Sequence, residues 1–287
     1  MERRNVGGFD VSVLGLGTSR LASMGSGRSK SDAKTLLAAA RDCGITLIDT
    51  ADTYGSTASE RWIGELTQAD RDDWVVVTKT GLPTVDLPGP LRALNQPAKK
   101  LKQARNGGSF ELDRTSLMRR IERSLQRLRR ERIEIFLLHL PPATIVDDEQ
   151  LRDILQEAQR EGKIAQFGVS TDELPTIDAI GRTWGCTVAE TAVNRWNGVQ
   201  GVAGVARDMD IIANHAMGSP AQRRELLARE SASSTPHPAS PLGRRLLRHA
   251  AAVPGVKVVL TGTSDPAHLR ENARAFDTPV SADDLGA

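Results

Sequence analysis

One tyrosine, two cysteines and 3% aromatic residues are the scarcities that bound this 287-residue chain. With so few rings, a core of ordinary size must be built mainly from Ala, Val, Leu and Ile. Cys43 and Cys186 stand far apart and show neither CxxC nor metal-ligand spacing. That excludes a disulfide framework and a thiolate metal centre, and fits reduced thiols. No apolar stretch approaches the ~18 to 20 residues needed to span a bilayer. The opening Met-Glu-Arg-Arg leads into no apolar signal segment, so a cytoplasmic location without a membrane partner is expected. Excess charge of either sign is missing too: 38 basic against 36 acidic residues leave +2, which gives no footprint for nucleic acid. The Arg-dense run 119–132 is a local exception. Its arginines alternate with Leu117, Ile121, Leu125 and Leu128 at helical spacing, the pattern of a solvated helix face.

Against these absences, 39% hydrophobic and 26% charged residues describe an ordinary globule. Apolar β-branched runs alternate with helical patterns throughout. Strands are expected at 11–16, 45–49, 74–79, 133–139, 164–169, 187–194, 210–213 and 256–261. Ser31 is expected to cap a helix ended by Gly44, and Thr57 with Glu60 has the spacing of a capping box. Further helices are expected at 114–130, 149–161, 174–183, with Pro175 in the first turn, 199–207 and 266–276. Strands alternating with helices specify parallel βαβ units, and eight of them close into an α/β (β/α)8 barrel occupying 1–287 as one domain. A doubly wound sheet is the alternative. Gly15-Leu16-Gly17-Thr18 argues against it, because the third glycine of a dinucleotide-binding turn is missing and no helix follows promptly. Two segments break the repeat. The Pro- and Lys-containing stretch 81–108 follows the third strand and would overhang the active face as an insert or lid, and 231–241 reads as a flexible connection.

Four polar residues end or closely follow apolar strands: Asp49, Tyr54, Lys79 and His139. A parallel barrel gathers all strand C-termini at one mouth, so residues distant in sequence converge there. Polar side chains closing Ile-Thr-Leu-Ile, Val-Val-Val-Thr and Ile-Phe-Leu-Leu would be costly without partners. Together they have a chemical logic. A phenol with pKa ~10 is a sluggish acid at neutral pH, and an adjacent ammonium lowers that value. Asp49 would hold the ammonium of Lys79, and His139 could orient a carbonyl oxygen.

These residues, with Leu14-Gly15-Leu16-Gly17-Thr18, the run from Ile48 to Gly55, Val77-Thr78-Lys79, Ile135 to His139, Gly162 to Ser170 and Arg270-Glu271-Asn272, make the chain resemble the aldo-keto reductase family along its whole length. The resemblance implies an oxidoreductase that interconverts an aldehyde or ketone and its alcohol by hydride transfer from a nicotinamide cofactor. Asp49, Tyr54, Lys79 and His139 would then be the catalytic tetrad, with Tyr54 as general acid.

The same resemblance implies cofactor contacts at Gly17, Thr18, Ser170, Thr171, Asn194, His215, Gly218, Thr263, Ser264, His268, Glu271 and Asn272. Asn194 stands for the family's glutamine at the end of strand six, and His215 for its stacking aromatic. NADP(H) is the expected cofactor and NAD(H) the alternative, because Asp265 and His268 occupy a region where relatives place Arg or Lys. The expected partner is a small, polar or sugar-like carbonyl substrate. No metal-ligand cluster accompanies the tetrad. The alternative function is a nucleotide-binding regulatory or assembly subunit without significant turnover. Oligomeric state is left open.

Overall fold

Period-two alternation in the strands decides which residues face inward. In the strand Ile133–His139, Ile135 and Leu137 join an inner apolar cluster with Leu47, Val77, Val188, Ile212 and Val258, while Phe136 and Leu138 join the outer one beneath the helices. The computed structural model describes residues 1–21, 28–87, 91, 94–95, 98, 110, 112, 114–197, 199–232 and 241–286.

The barrel strands are β3 (Leu14–Gly17), β4 (Leu47–Asp49), β5 (Val75–Thr80), β6 (Ile133–His139), β7 (Ile164–Ser170), β8 (Val188–Ala192), β9 (Asp210–Asn214) and β10 (Val256–Thr261). All neighbouring pairs are parallel, and β10 returns to β3, so the barrel is closed and its strands leave no edge. The fold is the expected (β/α)8 barrel.

The expected first strand splits. Phe9–Ser12 (β2) pairs antiparallel with Arg3–Val6 (β1), and only Leu14–Gly17 enters the barrel. Val6 and Val11 of this hairpin join the inner cluster, so the hairpin plugs the N-terminal end of the barrel. Helix starts also differ from expectation. Ser29, not Ser31, caps Lys30–Asp42, in a reciprocal box with Asp32. Thr57 makes no capping bond to Ala58–Leu66, and Glu60 turns inward instead. Two helices not expected in detail, Pro220–Ala232 and Leu242–Ala252, flank the segment 231–241. Most of 81–108 and, within 231–241, residues 233–240 lie outside the described residues, while 231 and 232 still belong to the helix Pro220–Ala232. No described helix is long and apolar enough to cross a membrane.

The Arg-rich helix Arg114–Leu128 is less solvated than its sequence implies. Arg127 Nε donates to the buried Glu60 at 2.6 Å, and Arg120 Nη1 lies 3.2 Å from Asp52. These arginines tie the helix to the elements that carry the site.

Candidate active site

The side chains at the upper ends of the inward-facing strand positions are polar. Counting by twos, Leu47 leads to Asp49, Val77 to Lys79, Leu137 to His139, Val188 to Glu190 and Ile212 to Asn214. Ladder register aligns His139 with Ser170 and Ser170 with Glu190. The apolar inner cluster is thus the floor of a polar mouth.

Tyr54 reaches this mouth from the turn after β4. Three successive residues there, Gly55, Ser56 and Thr57, have φ of +59°, +50° and +71°. The left-handed region suits glycine, so Ser56 and Thr57 mark local backbone strain next to the phenol. Packing holds the turn: both residues are buried, and Thr57 Oγ1 donates to Asp86 at 3.1 Å. Asp52, in the same turn, accepts from Thr80 Oγ1 at 2.6 Å, and its carboxyl is pushed up to about 6 by burial, against the pull of Arg120.

Lys79 is wholly buried. Its ammonium donates to Asp49 Oδ1 and to Thr50 O at 3.1 Å, and lies 3.1 Å from Glu190 Oε2. Burial alone would lower its pKa, but the two carboxylates overcome that and hold it above the ordinary lysine value. The carboxylates divide unequally. Asp49 is driven well up by burial and by the neighbouring Glu190 charge. Burial also works against ionised Glu190, yet Lys79 and a hydrogen bond from Asn214 bring it below the ordinary value. One cation serves two acids, and Glu190 is the one that stays ionised more readily.

The Lys79 ammonium is 5.4 Å from the Tyr54 ring centre, and the Tyr54 and His139 rings meet edge to face at 6.1 Å and 82°. The expectation that Lys79 makes the phenol more acidic holds for that contact taken alone. Burial acts harder in the opposite direction, Asp49 and Glu190 add to it, and the net effect raises the phenol above its usual range.

A cavity of about 510 Å³ opens over these groups, a size typical of small-molecule sites. It runs from Asp49, Tyr54, His139 and Glu190, past Ser170, Thr171, His215 and Gly218, to Thr263, His268, Glu271 and Asn272, with Gly17 at one wall. Three expected contacts fall outside its lining. Thr18 is buried behind it, donating to Asp49 O at 2.8 Å. Asn194 lies beyond the end of β8, where its Oδ1 accepts from Trp196 N at 3.0 Å; the inward strand-six position is Glu190. Ser264 is also absent from the lining. Arg20 and Arg223 line the cavity and were not singled out from the sequence, because neither belongs to a strand end.

A second cavity of about 590 Å³ shares Arg20, Asp172, His215 and Gly218 with the first and adds Thr191, Asn194, Trp196 and Asn197. Trp196 both lines it and packs on Gly218, where a Cβ would come within 2.4 Å of the indole. Arg270, which precedes Glu271 and Asn272 of the cavity wall, pairs with Asp42 at 3.5 Å. Among the described residues no group of His, Cys, Asp and Glu could hold a metal ion. Both cysteines are free, and burial pushes the Cys186 thiol up to about 12, so neither has the character of a reactive thiolate.

A family model described as Aldo/keto reductase family matches residues 13–213. The 6-dehydroglucose reductase of Novosphingobium aromaticivorans is 32% identical over 64% of this chain and 55% of its own length. The chain spans about half the length of the curated relatives it matches. Among solved structures, an aldo-keto reductase from Pseudomonas aeruginosa is 26% identical and superposes with a TM-score of 0.71, covering 96% of both chains. An aldo-keto reductase from Klebsiella pneumoniae in complex with NADPH superposes at 0.71, covering 100% of this chain and 94% of its own, with 20% identity.

Proposed function

Since the chain belongs to the Aldo/keto reductase family, we propose that it is an NAD(P)H-dependent oxidoreductase interconverting a small, polar or sugar-like carbonyl compound and its alcohol. The observation that carries the reading is the meeting of Asp49, Tyr54 and His139 at one cavity mouth, with Lys79 buried beneath them against Asp49 and 5.4 Å from the Tyr54 ring centre.

Tyr54 is the proton donor to the carbonyl oxygen. Its raised pKa keeps the phenol protonated at neutral pH, so the acid is always loaded. Lys79 stabilises the phenolate left behind, by charge, at the 5.4 Å separation from the ring. Asp49 fixes the lysine, and Thr18 fixes the strand end that carries Asp49. His139, edge-on to Tyr54, holds the carbonyl oxygen in line with the phenol. The nicotinamide cofactor, when bound, supplies the hydride.

The groove fits such a cofactor in its donor set. Gly17 and Gly262 leave the backbone bare along its wall, Ser170, Thr263 and Asn272 offer hydroxyl and amide groups, and Arg20 and Arg223 supply positive charge for phosphate. The Cβ positions at Gly17 and Gly262 have no close obstruction. NADP(H) is the proposed cofactor, in line with the NADPH-bound neighbour; NAD(H) is the alternative, because Arg270 is engaged with Asp42 and His268 lies 3.9 Å from Asp265.

The test is a fluorescence titration with NADPH and, separately, NADH, followed by consumption of reduced cofactor across small aldehydes, ketones and oxidised sugars. Binding with turnover that depends on Tyr54 supports the proposal. Failure to bind either cofactor overturns it.

A further inference from the structure

Glu190 is a buried acid in the mouth to which the chemistry above gives no part. It points inward because Val188, two residues earlier on β8, belongs to the inner apolar cluster. Three other strands hold its carboxylate. Asn214 Nδ2 on β9 donates to Oε1 at 2.9 Å, Ser170 Oγ on β7 donates to the same oxygen at 3.3 Å, and Lys79 Nζ on β5 lies 3.1 Å from Oε2. These contacts place the carboxylate beside the ammonium.

The cavity that Tyr54 lines carries Arg20, Asp172, His215, Arg223, His268 and Glu271 on its loops and helices, and the remaining charges come from the strand ends. β4 brings Asp49, β5 Lys79, β6 His139 and β8 Glu190, while β7 and β9 bring the neutral Ser170 and Asn214, and β10 and β3 bring Thr261 and Gly17. One ammonium therefore faces two carboxylates before the phenol ionises. A phenolate at Tyr54 would be a third anion competing for the same cation, in surroundings where desolvation strengthens every charge interaction.

We propose that Glu190 is a positioning residue that acts through Lys79: as a second counter-ion it takes up part of the ammonium's charge, holds Tyr54 in its protonated form and thereby sets the pH at which the phenol ionises. The directions at the individual groups agree. Burial raises the phenol most, Lys79 lowers it, and Asp49 and Glu190 each raise it again.

The chain contains one tyrosine, so the near-ultraviolet absorbance of phenolate reports Tyr54 alone. The experiment is a pH titration of that absorbance in the full chain, without cofactor or substrate, with far-ultraviolet circular dichroism followed in parallel. Four proteins are compared: the parent, Glu190→Gln, Glu190→Ala and Glu190→Asp. Glutamine keeps an acceptor for Asn214 and Ser170 while removing the charge. Alanine is the second neutral variant, and aspartate restores the charge.

Both neutral variants are expected to form phenolate at a pH about one unit below the parent, roughly tenfold more phenolate at a fixed alkaline pH, with the aspartate variant staying near the parent. A parent phenol that ionises only on alkaline unfolding, beside a neutral variant that ionises while still folded, is the same result. The proposal is overturned if parent and folded neutral variants ionise together, if both ionise only on unfolding, or if the aspartate variant shifts as far as glutamine.

The kinetic consequence rests on the reading of Tyr54 as proton donor: the alkaline limb of kcat/KM for carbonyl reduction should move down with the phenol. A phenol shift without turnover would sink that reading and leave the role of Glu190 standing. Turnover whose alkaline limb ignores a shifted phenol would remove Glu190 from the reaction.

Discussion

The buried ammonium of Lys79, on β5, lies 5.4 Å from the centre of the Tyr54 ring, which the turn after β4 brings to it. Removing the phenol oxygen tests chemistry with little change in packing. Tyr54→Phe is expected to lower turnover by at least about a hundredfold, the lower range for losing a positioned proton donor. Cofactor affinity should stay within about threefold, since most of the cavity is untouched. Equal turnover in parent and variant would remove Tyr54 from the reaction.

Asp52 predicts a pH dependence of stability. Its buried carboxyl is pushed from 3.8 to about 6, burial being the main cause. The folded value lies above the unfolded one, so the associated stability is fully present below about pH 4 and is lost as pH rises through about 6. The interval corresponds to about 3 kcal/mol. Asp52→Asn removes this loss. Denaturant unfolding at about pH 4 and pH 7 should show the variant gaining on the parent between the two by an amount of that order. Parallel stabilities across the interval would refute it.

Much of the fold is written in the alternation of apolar strands and helices, because a closed parallel barrel needs each strand buried on both faces. Asp49, Lys79 and His139 stand out because each ends an apolar run where a polar side chain is otherwise costly. Glu190 does not stand out. Val-Ala-Glu-Thr-Ala is a mixed strand, and extending it to Asn194 drew attention to a residue beyond the strand's end rather than to Glu190. Two-residue counting from Val188 would have found it. Glu60 misled in a different way. Its spacing from Thr57 matches a capping box, but the buried pairing with Arg127 and the 2.7 Å bond from Thr78 outweigh a local cap. That partner lies 67 residues away, beyond any local pattern.

Helix packing beside the site gives a stability prediction. Gly64, in Ala58–Leu66, lies so close to the Arg-rich helix that an added Cβ would fall 2.3 Å from Arg127 O. The obstruction is backbone and cannot rotate aside. Gly64→Ala should destabilise the protein by about 1–3 kcal/mol despite alanine's better helix propensity. Thermal unfolding of the variant checks it, and an unchanged or higher midpoint would show that the two helices can separate at little cost.

Lys79 gives the sharpest test of how the buried charges are balanced. Methionine fits the volume of the lysine but leaves Asp49 and Glu190 facing each other without a cation. Breaking a buried ion pair from one side costs about 3–5 kcal/mol, and Lys79→Met is expected to fall in that range near pH 7. Acidification should narrow the deficit. Without Lys79 both carboxyls bind protons more tightly in the folded state than in the unfolded one, so stability is present at low pH and lost as pH rises. Adding Glu190→Gln to the variant removes one of the two opposed charges, and the double variant should recover about 1–3 kcal/mol relative to the sum of the single changes. The check is a double-mutant cycle on denaturant midpoints at two pH values. Strict additivity would mean that Glu190 and Lys79 do not share the ammonium's charge, whatever their 3.1 Å separation.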